Sequence, residues 1–115
     1  MTDSMLSTKN WKLEKRRALS ATEIVAGLAQ VQGWRLAGDD DNIAIEKKFQ
    51  FANYFETIAF VNALAMIAHR LDHHPDLYVK YDCCVVKLNT HDVGGISRTD
   101  LECATLVDAL LSKVP

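Results

Sequence analysis

Residues 53–75 read NYFETIAFVNALAMIAHRLDHHP, and the fold turns on how this run is interpreted. Asn53 is a good N-cap, with Glu56 at the third helical position, so a helix is predicted to start here. Its apolar residues fill three rows: Phe60, Leu64, Ile67 and Leu71; Tyr54, Ile58, Val61, Ala65 and Ala68; and Phe55, Ala59 and Met66. A helix apolar nearly all round must be covered on more than one side. A sheet of the same chain supplies one cover, and a second subunit is expected to supply the other, making the protein a homodimer or homotetramer. The helix is expected to end near His73 or His74, because the residue before Pro75 is pushed out of the α region.

On the N-terminal side, residues 1–18 read as a polar leader ahead of a single domain, 19–115. Ser20 and Glu23 form a capping box, flanked by Leu19 and Ile24 as a hydrophobic staple. Ile24, Val25, Leu28 and Val31 give this helix one apolar face, and Gly33 is placed as its C′ residue. Trp34-Arg35-Leu36 alternates, Gly38 to Asn42 is a loop of turn formers, and Ile43, Ile45, Phe49 and Phe51 alternate with polar residues, Lys47 being the one break. On the C-terminal side, Tyr78 to Thr90 reads as strand. Its apolar phase flips between Asp82 and Cys84, implying a bulge or a tight turn. After the loop His91-Asp92-Val93-Gly94-Gly95, Ser97 to Asp100 opens a last helix, with Ile96 and Leu101 as its staple. The order is helix, two strands, helix, two strands, helix. This predicts an α+β domain with an antiparallel four-stranded sheet and helices packed on one face.

The chain of 115 residues can bury a core without disulfides or metal. Its net charge of −2 gives no electrostatic footing for nucleic acid. The cluster Lys12, Lys15, Arg16, Arg17 reads as a solvated helix face or leader rather than a phosphate site. Cys83, Cys84 and Cys103 are odd in number and lie mid-strand and mid-helix, so reduced, buried thiols are expected rather than a disulfide framework. The first 17 residues have no apolar core of a signal peptide, and the longest apolar run is too short to span a bilayer, so a cytoplasmic protein without a membrane role is expected.

Three of the four histidines fall within six residues, His69, His73 and His74, and the fourth is His91. Histidine is the one side chain whose unperturbed pKa lies near neutrality. Three readings stand. Each histidine can be an ordinary surface or satisfied core residue. His69 and His73, four apart on a helix, can share a metal with His91 as third ligand; against this, Arg70 sits where a zinc-protease helix carries a glutamate base, and its charge opposes a dication. Or His73, His74 and His91 can flank one pocket and move protons at a polarised carbon–oxygen or carbon–nitrogen bond. No Ser–His–Asp set or phosphate-binding glycine loop stands out beside them.

At these residues the chain resembles the pterin-4a-carbinolamine dehydratases. The family pattern is a charged or histidine residue, three spacers, His-His-Pro, then an aromatic, a histidine ten residues on and an aspartate beyond. Here that reads His69, His73-His74-Pro75, Tyr81, His91 and Asp100. Leu88 to Asp92 followed by Gly94-Gly95-Ile96-Ser97 also looks like the family, as do Gly33-Trp34 and Phe49/Phe51 more loosely. The resemblance covers about residues 20–111.

The resemblance implies a dehydratase that removes water from a 4a-hydroxytetrahydropterin to give the quinonoid dihydropterin, in the recycling of tetrahydrobiopterin, with no cofactor and no metal. It implies His73 and His91 as the acid–base pair and His74 as the residue orienting the pterin. Asp72, His73, His74 and Asn89, Thr90, His91, Asp92 match the two substrate-contacting segments, with His69 and Asp100 in support. Asp100 is also expected to cap the last helix from its third position, and Tyr81 to pack. Two departures stand out: His69 replaces an acidic residue common in the family, and Leu77 replaces its usual tryptophan, an aromatic wall for a planar ring. Some relatives act without catalysis, as a transcription-factor partner or as assembly factors, so a non-enzymatic interaction module on this fold is the alternative.

Overall fold

A computed structural model describes residues 16–38 and 42–111. The expectations for residues 1–15, including Lys12 and Lys15, and for Asp39, Asp40 and Asp41 lie outside these residues.

The first helix, α1 (Ala21–Leu28), starts as expected: Ser20 and Glu23 exchange capping hydrogen bonds. It is shorter than its apolar pattern suggests. Gln30 and Val31 N–H groups turn back to the carbonyls of Gly27 and Leu28, and the chain leaves the helix there. Gly33 is therefore not its C′ residue; it occupies a later left-handed turn, φ 86°, that delivers Trp34 into the core. Val25 is not on the buried face either, being 66% exposed. Gly27 lets α1 lie close on the last helix, since a Cβ there would meet a Leu101 methyl at 2.3 Å.

Strands β1 (Arg35–Ala37), β2 (Ala44–Gln50), β3 (Asp76–Val79) and β4 (Cys83–Leu88) form one antiparallel sheet in the order β1-β2-β4-β3. The phase flip in the predicted Tyr78–Thr90 strand is a tight turn between β3 and β4, closed by the Lys80 N–H on the Cys83 carbonyl. Strand residues of one parity, Ile45 and Phe49 with Cys84, Val86 and Leu88, face the core. The other face carries a charged ladder, with Glu46 between Arg35 at 3.0 Å and Lys87 at 3.8 Å. Lys47 breaks the alternation because it faces the helices: its ammonium is 2.9 Å from Asp108, which also accepts from the Trp34 indole.

Helix α2 (Tyr54–Arg70) is capped by Asn53, whose side chain accepts from the Glu56 N–H. Of its apolar rows, Phe60, Leu64, Ala68 and the following Leu71 are buried, while Phe55 is 83% exposed and Tyr54, Ala59 and Met66 are exposed. The final helix, α3 (Arg98–Ala109), packs Leu101, Cys103, Ala104 and Val107 inward. The fold is thus α+β, a single domain whose three helices share one core on one face of the sheet.

All three thiols are free and buried. Burial raises Cys84 to about 11 and Cys103 to about 12, the latter helped by the charges of Asp100 and Glu102. Both lie above the ordinary 9.0, so the folded state holds these protons longer than the unfolded chain. The stabilisation is complete below about pH 9 and is lost as pH rises through the folded values. At pH 8, Cys84 and Cys103 are therefore expected to resist iodoacetamide in the native protein and to react once urea unfolds it. Rapid native alkylation, read by mass spectrometry, would contradict this packing.

Candidate active site

The site is built where α2 ends. The helix stops at Arg70, earlier than the proline alone would require. Asp72 takes a left-handed conformation, φ 49°, the one non-glycine residue with positive φ among those described. The Asp72 N–H donates to the His69 carbonyl at 3.2 Å and the His73 N–H to the Ala68 carbonyl at 2.9 Å. This is the Schellman ending of a helix, with aspartate where glycine is usual. The reversal separates two adjacent histidines: His73 is 4% exposed, while His74 stays exposed.

Inside, His73 Nε2 lies 2.5 Å from Asp100 Oδ1. Asp100 is itself fully buried. Its other oxygen accepts from the Thr90 hydroxyl and from the Ser97 N–H, each at 2.8 Å. The Thr90 and Ser97 hydroxyl oxygens are 2.5 Å apart. Since Thr90 donates its one proton to Asp100, Ser97 is the donor between the hydroxyls. Asp100 thus does both things expected of it, capping α3 through Oδ2 and holding His73 through Oδ1. An ionised Asp100 only accepts, so Nε2 of His73 is then the donor of that bond and Nδ1 is left outside the network.

The loop after β4 is closed by Thr90 and Gly95, the Thr90 N–H donating to the Gly95 carbonyl at 2.8 Å. It holds a 3-10 turn, η1 (His91–Val93), that ends on left-handed Gly94, φ 66°. A side chain there would be strained although nothing crowds it. The loop leaves His91 and Asp92 exposed.

Between the end of α2 and this loop lies a pocket of about 180 Å³ lined by Arg16, Asp72, His73, His74, Asn89, His91 and Asp92. Beside it an apolar groove of about 330 Å³ shares Asp72, His73 and His74 with the pocket and adds Leu64, Ala68, His69 and Leu77. Of the residues singled out in the sequence, six therefore meet at one pocket: Asp72, His73, His74, Asn89, His91 and Asp92. Three lie elsewhere. His69 borders the groove, Thr90 is turned inward onto Asp100, and Asp100 sits beneath His73. Tyr81 is outside the pocket lining; it stacks on Tyr54 with ring centroids 6.4 Å apart. Among the described residues, no three of His, Cys, Asp and Glu group as a metal site.

Two contributors escaped the sequence reading. Ser97 was legible only as a cap, although its hydroxyl joins the buried network. Arg16 came from the stretch read as a leader; its guanidinium donates to the carbonyls of Leu71 and Asp72 at 2.9 and 3.0 Å. No local periodicity announces a contact between residues this far apart in the chain.

Three histidines around one polar pocket, the buried one braced by a carboxylate, form an arrangement suited to binding a small polar molecule and passing protons to and from it. The family model for pterin 4 alpha carbinolamine dehydratase matches residues 17–110. A protein of Paracidovorax citrulli, provisionally named a pterin-4-alpha-carbinolamine dehydratase, is 65% identical over 109 residues, which is 95% of this chain and 94% of that protein. A Xanthomonas campestris protein with the same provisional name is 56% identical over 86 residues, covering 75% of this chain and 71% of its own length. Among solved structures, a transcriptional coactivator/pterin dehydratase from Brucella melitensis superposes with a TM-score of 0.78 at 27% identity, covering 84% of this chain and all of that one. A pterin dehydratase-like protein, a RuBisCO assembly factor in the alpha-carboxysome, reaches a TM-score of 0.59 at 26% identity, covering 72% of this chain and 94% of its own. The chain belongs to the pterin-4a-carbinolamine dehydratase family.

The network predicts an asymmetry at Thr90. Thr90→Val keeps the shape but leaves the Asp100 carboxylate and the Ser97 hydroxyl each short of a partner, which costs about 2 kcal/mol. Thr90→Ser keeps the hydroxyl and should cost less. Urea denaturation of both variants checks this, and equal losses would mean that the hydroxyl is idle.

Proposed function

We propose that this protein is a hydro-lyase acting on 4a-hydroxytetrahydropterins, releasing water to form the quinonoid dihydropterin in tetrahydrobiopterin recycling. The observation that carries the reading is the pairing of one buried, carboxylate-braced histidine with two exposed histidines around a single pocket. Dehydration of a carbinolamine needs two proton movements: an acid delivers a proton to the departing hydroxyl, and a base takes one from the adjacent ring nitrogen. His73, just past the end of α2, and His91, on η1, both line the pocket and are assigned as this acid–base pair. His74, exposed beside His73, orients the ring. Asp72, Asn89 and Asp92 supply hydrogen-bonding atoms to a polar heterocycle. Thr90 works from beneath through Asp100 rather than by touching the substrate with its side chain. Leu77, half-buried in the apolar groove, gives a softer wall than the family's usual tryptophan, so substrate affinity is where this chain is expected to differ.

The protein is further assigned as a homo-oligomer acting in the cytoplasm. Among the described residues, no helix is long and apolar enough to cross a membrane. Phe55, Tyr54 and Met66 leave α2 with an exposed apolar face, and the sheet order puts β3 at an edge carrying exposed Tyr78 and Val79. Either surface can take a second copy. The same surfaces favour the second reading, an interaction or assembly module, which the names of the Brucella protein and of the carboxysome factor bring to mind.

Purified protein is expected to accelerate loss of the ultraviolet signal of pterin-4a-carbinolamine. His73→Ala and His91→Ala should each lower the rate by about 10²-fold or more, the usual worth of a positioned acid or base. Wild-type turnover no faster than buffer would overturn the enzyme reading and leave the interaction module. Light scattering at micromolar concentration should return a dimer or tetramer mass; a monomer would refute the oligomer.

A further inference from the structure

We infer that Arg16 is a positioning residue for the histidine pair, supplied by a segment just ahead of the region the family model matches. That region begins at residue 17. The inference rests on the acid–base reading of the pocket. The left-handed Asp72 turn decides that His73 points inward and His74 does not, and a non-glycine residue is disfavoured in that conformation. Something must hold it. The carbonyls at a helix C-terminus lack intrahelical partners and carry partial negative charge, so a cation donating to them is favourable. Arg16 is placed to do this: one guanidinium nitrogen donates to the carbonyl of Leu71, the C-cap residue, and to that of Asp72, the strained residue itself. The Leu71 contact is half-buried, which strengthens it relative to a surface bond. The same side chain lines the pocket beside His73, His74 and His91. Nearby pairings keep the segment in place: Arg17 forms a two-pronged bond to Glu23 at 2.9 and 2.7 Å, and the Leu19 N–H donates to the Ile96 carbonyl at 2.7 Å. Arg16 therefore ties the N-terminal segment to the turn that aims the histidines. Small misplacements of reacting groups cost rate steeply.

The test uses the full chain as wild type, Arg16→Ala and Arg16→Lys. Turnover of the carbinolamine should fall roughly tenfold or more in kcat for R16A, with KM within about twofold. R16K should recover part of the rate, since an ammonium can still donate to the carbonyls. Amide hydrogen exchange at Asp72 and His73 should accelerate in R16A, while the urea midpoint and the exchange of β4 stay close to wild type. Three results would overturn the inference: unchanged kcat in R16A, a raised KM with kcat intact (which would make Arg16 a direct substrate contact), or unchanged exchange at the two amides. If wild type itself shows no turnover, the dehydratase reading fails. The exchange data then decide the positioning claim alone: local acceleration supports it and unchanged protection refutes it.

Discussion

The contact between His73 and Asp100 is the constraint on which the site depends. An imidazole 4% exposed and a carboxylate fully buried cannot remain so without partners, because unpaired polar groups in the interior are costly. Nε2 of His73 is met by Asp100, and Asp100 by His73, Thr90 and the Ser97 backbone. These residues come from the turn after α2, the loop after β4 and the start of α3. The apolar core holds those three elements together, and the polar network fixes their ends relative to one another. Breaking such a buried pair by removing one partner typically costs about 3–5 kcal/mol, so the network favours one arrangement of those ends over others.

From this anchor the gradient of exposure follows. The left-handed turn at Asp72 sends one histidine into the network and leaves the next in the pocket. The closed loop from Thr90 to Gly95 has its first residue tied to Asp100 and its next two, His91 and Asp92, facing solvent. The buried partner thus has a fixed orientation, while the exposed ones remain open to a ligand. Loops that display polar side chains are commonly held by a rigid scaffold, and here the scaffold reaches directly into the loops through side-chain hydrogen bonds. His69, one turn back on α2, is outside this network and borders the apolar groove instead.

Much of this was legible in the sequence, because local signals are written locally. Ser20, Asn53 and Ser97 each start the helix assigned to them, and the phase flip beside Cys83 marks a real turn. The near all-round apolar character of α2 corresponds to an exposed stripe of Phe55 and Met66 as well as a buried one. What failed depends on the third dimension. Periodicity alone runs past the end of α1, because Val31 and Trp34 turn into the core and end the helix early. Pro75 marks a helix end later than the real one, since an aspartate in the left-handed position carries no sequence mark. The histidine cluster was visible, but which of two neighbours is buried was not, and neither was the inward turn of Thr90. Arg16 lay in a basic run that reads as solvated surface until the fold carries it across to Leu71.

An ionised Asp100 holds the proton of neutral His73 on Nε2 and leaves Nδ1 outside the buried network. The direct measurement is a long-range proton–nitrogen NMR spectrum of histidine-labelled protein, recorded where His73 is neutral. A protonated Nε2 with a bare Nδ1 is the expected result. A His73 spectrum showing the proton on Nδ1 would contradict it, and with it the assignment of Asp100 as the group that orients the site.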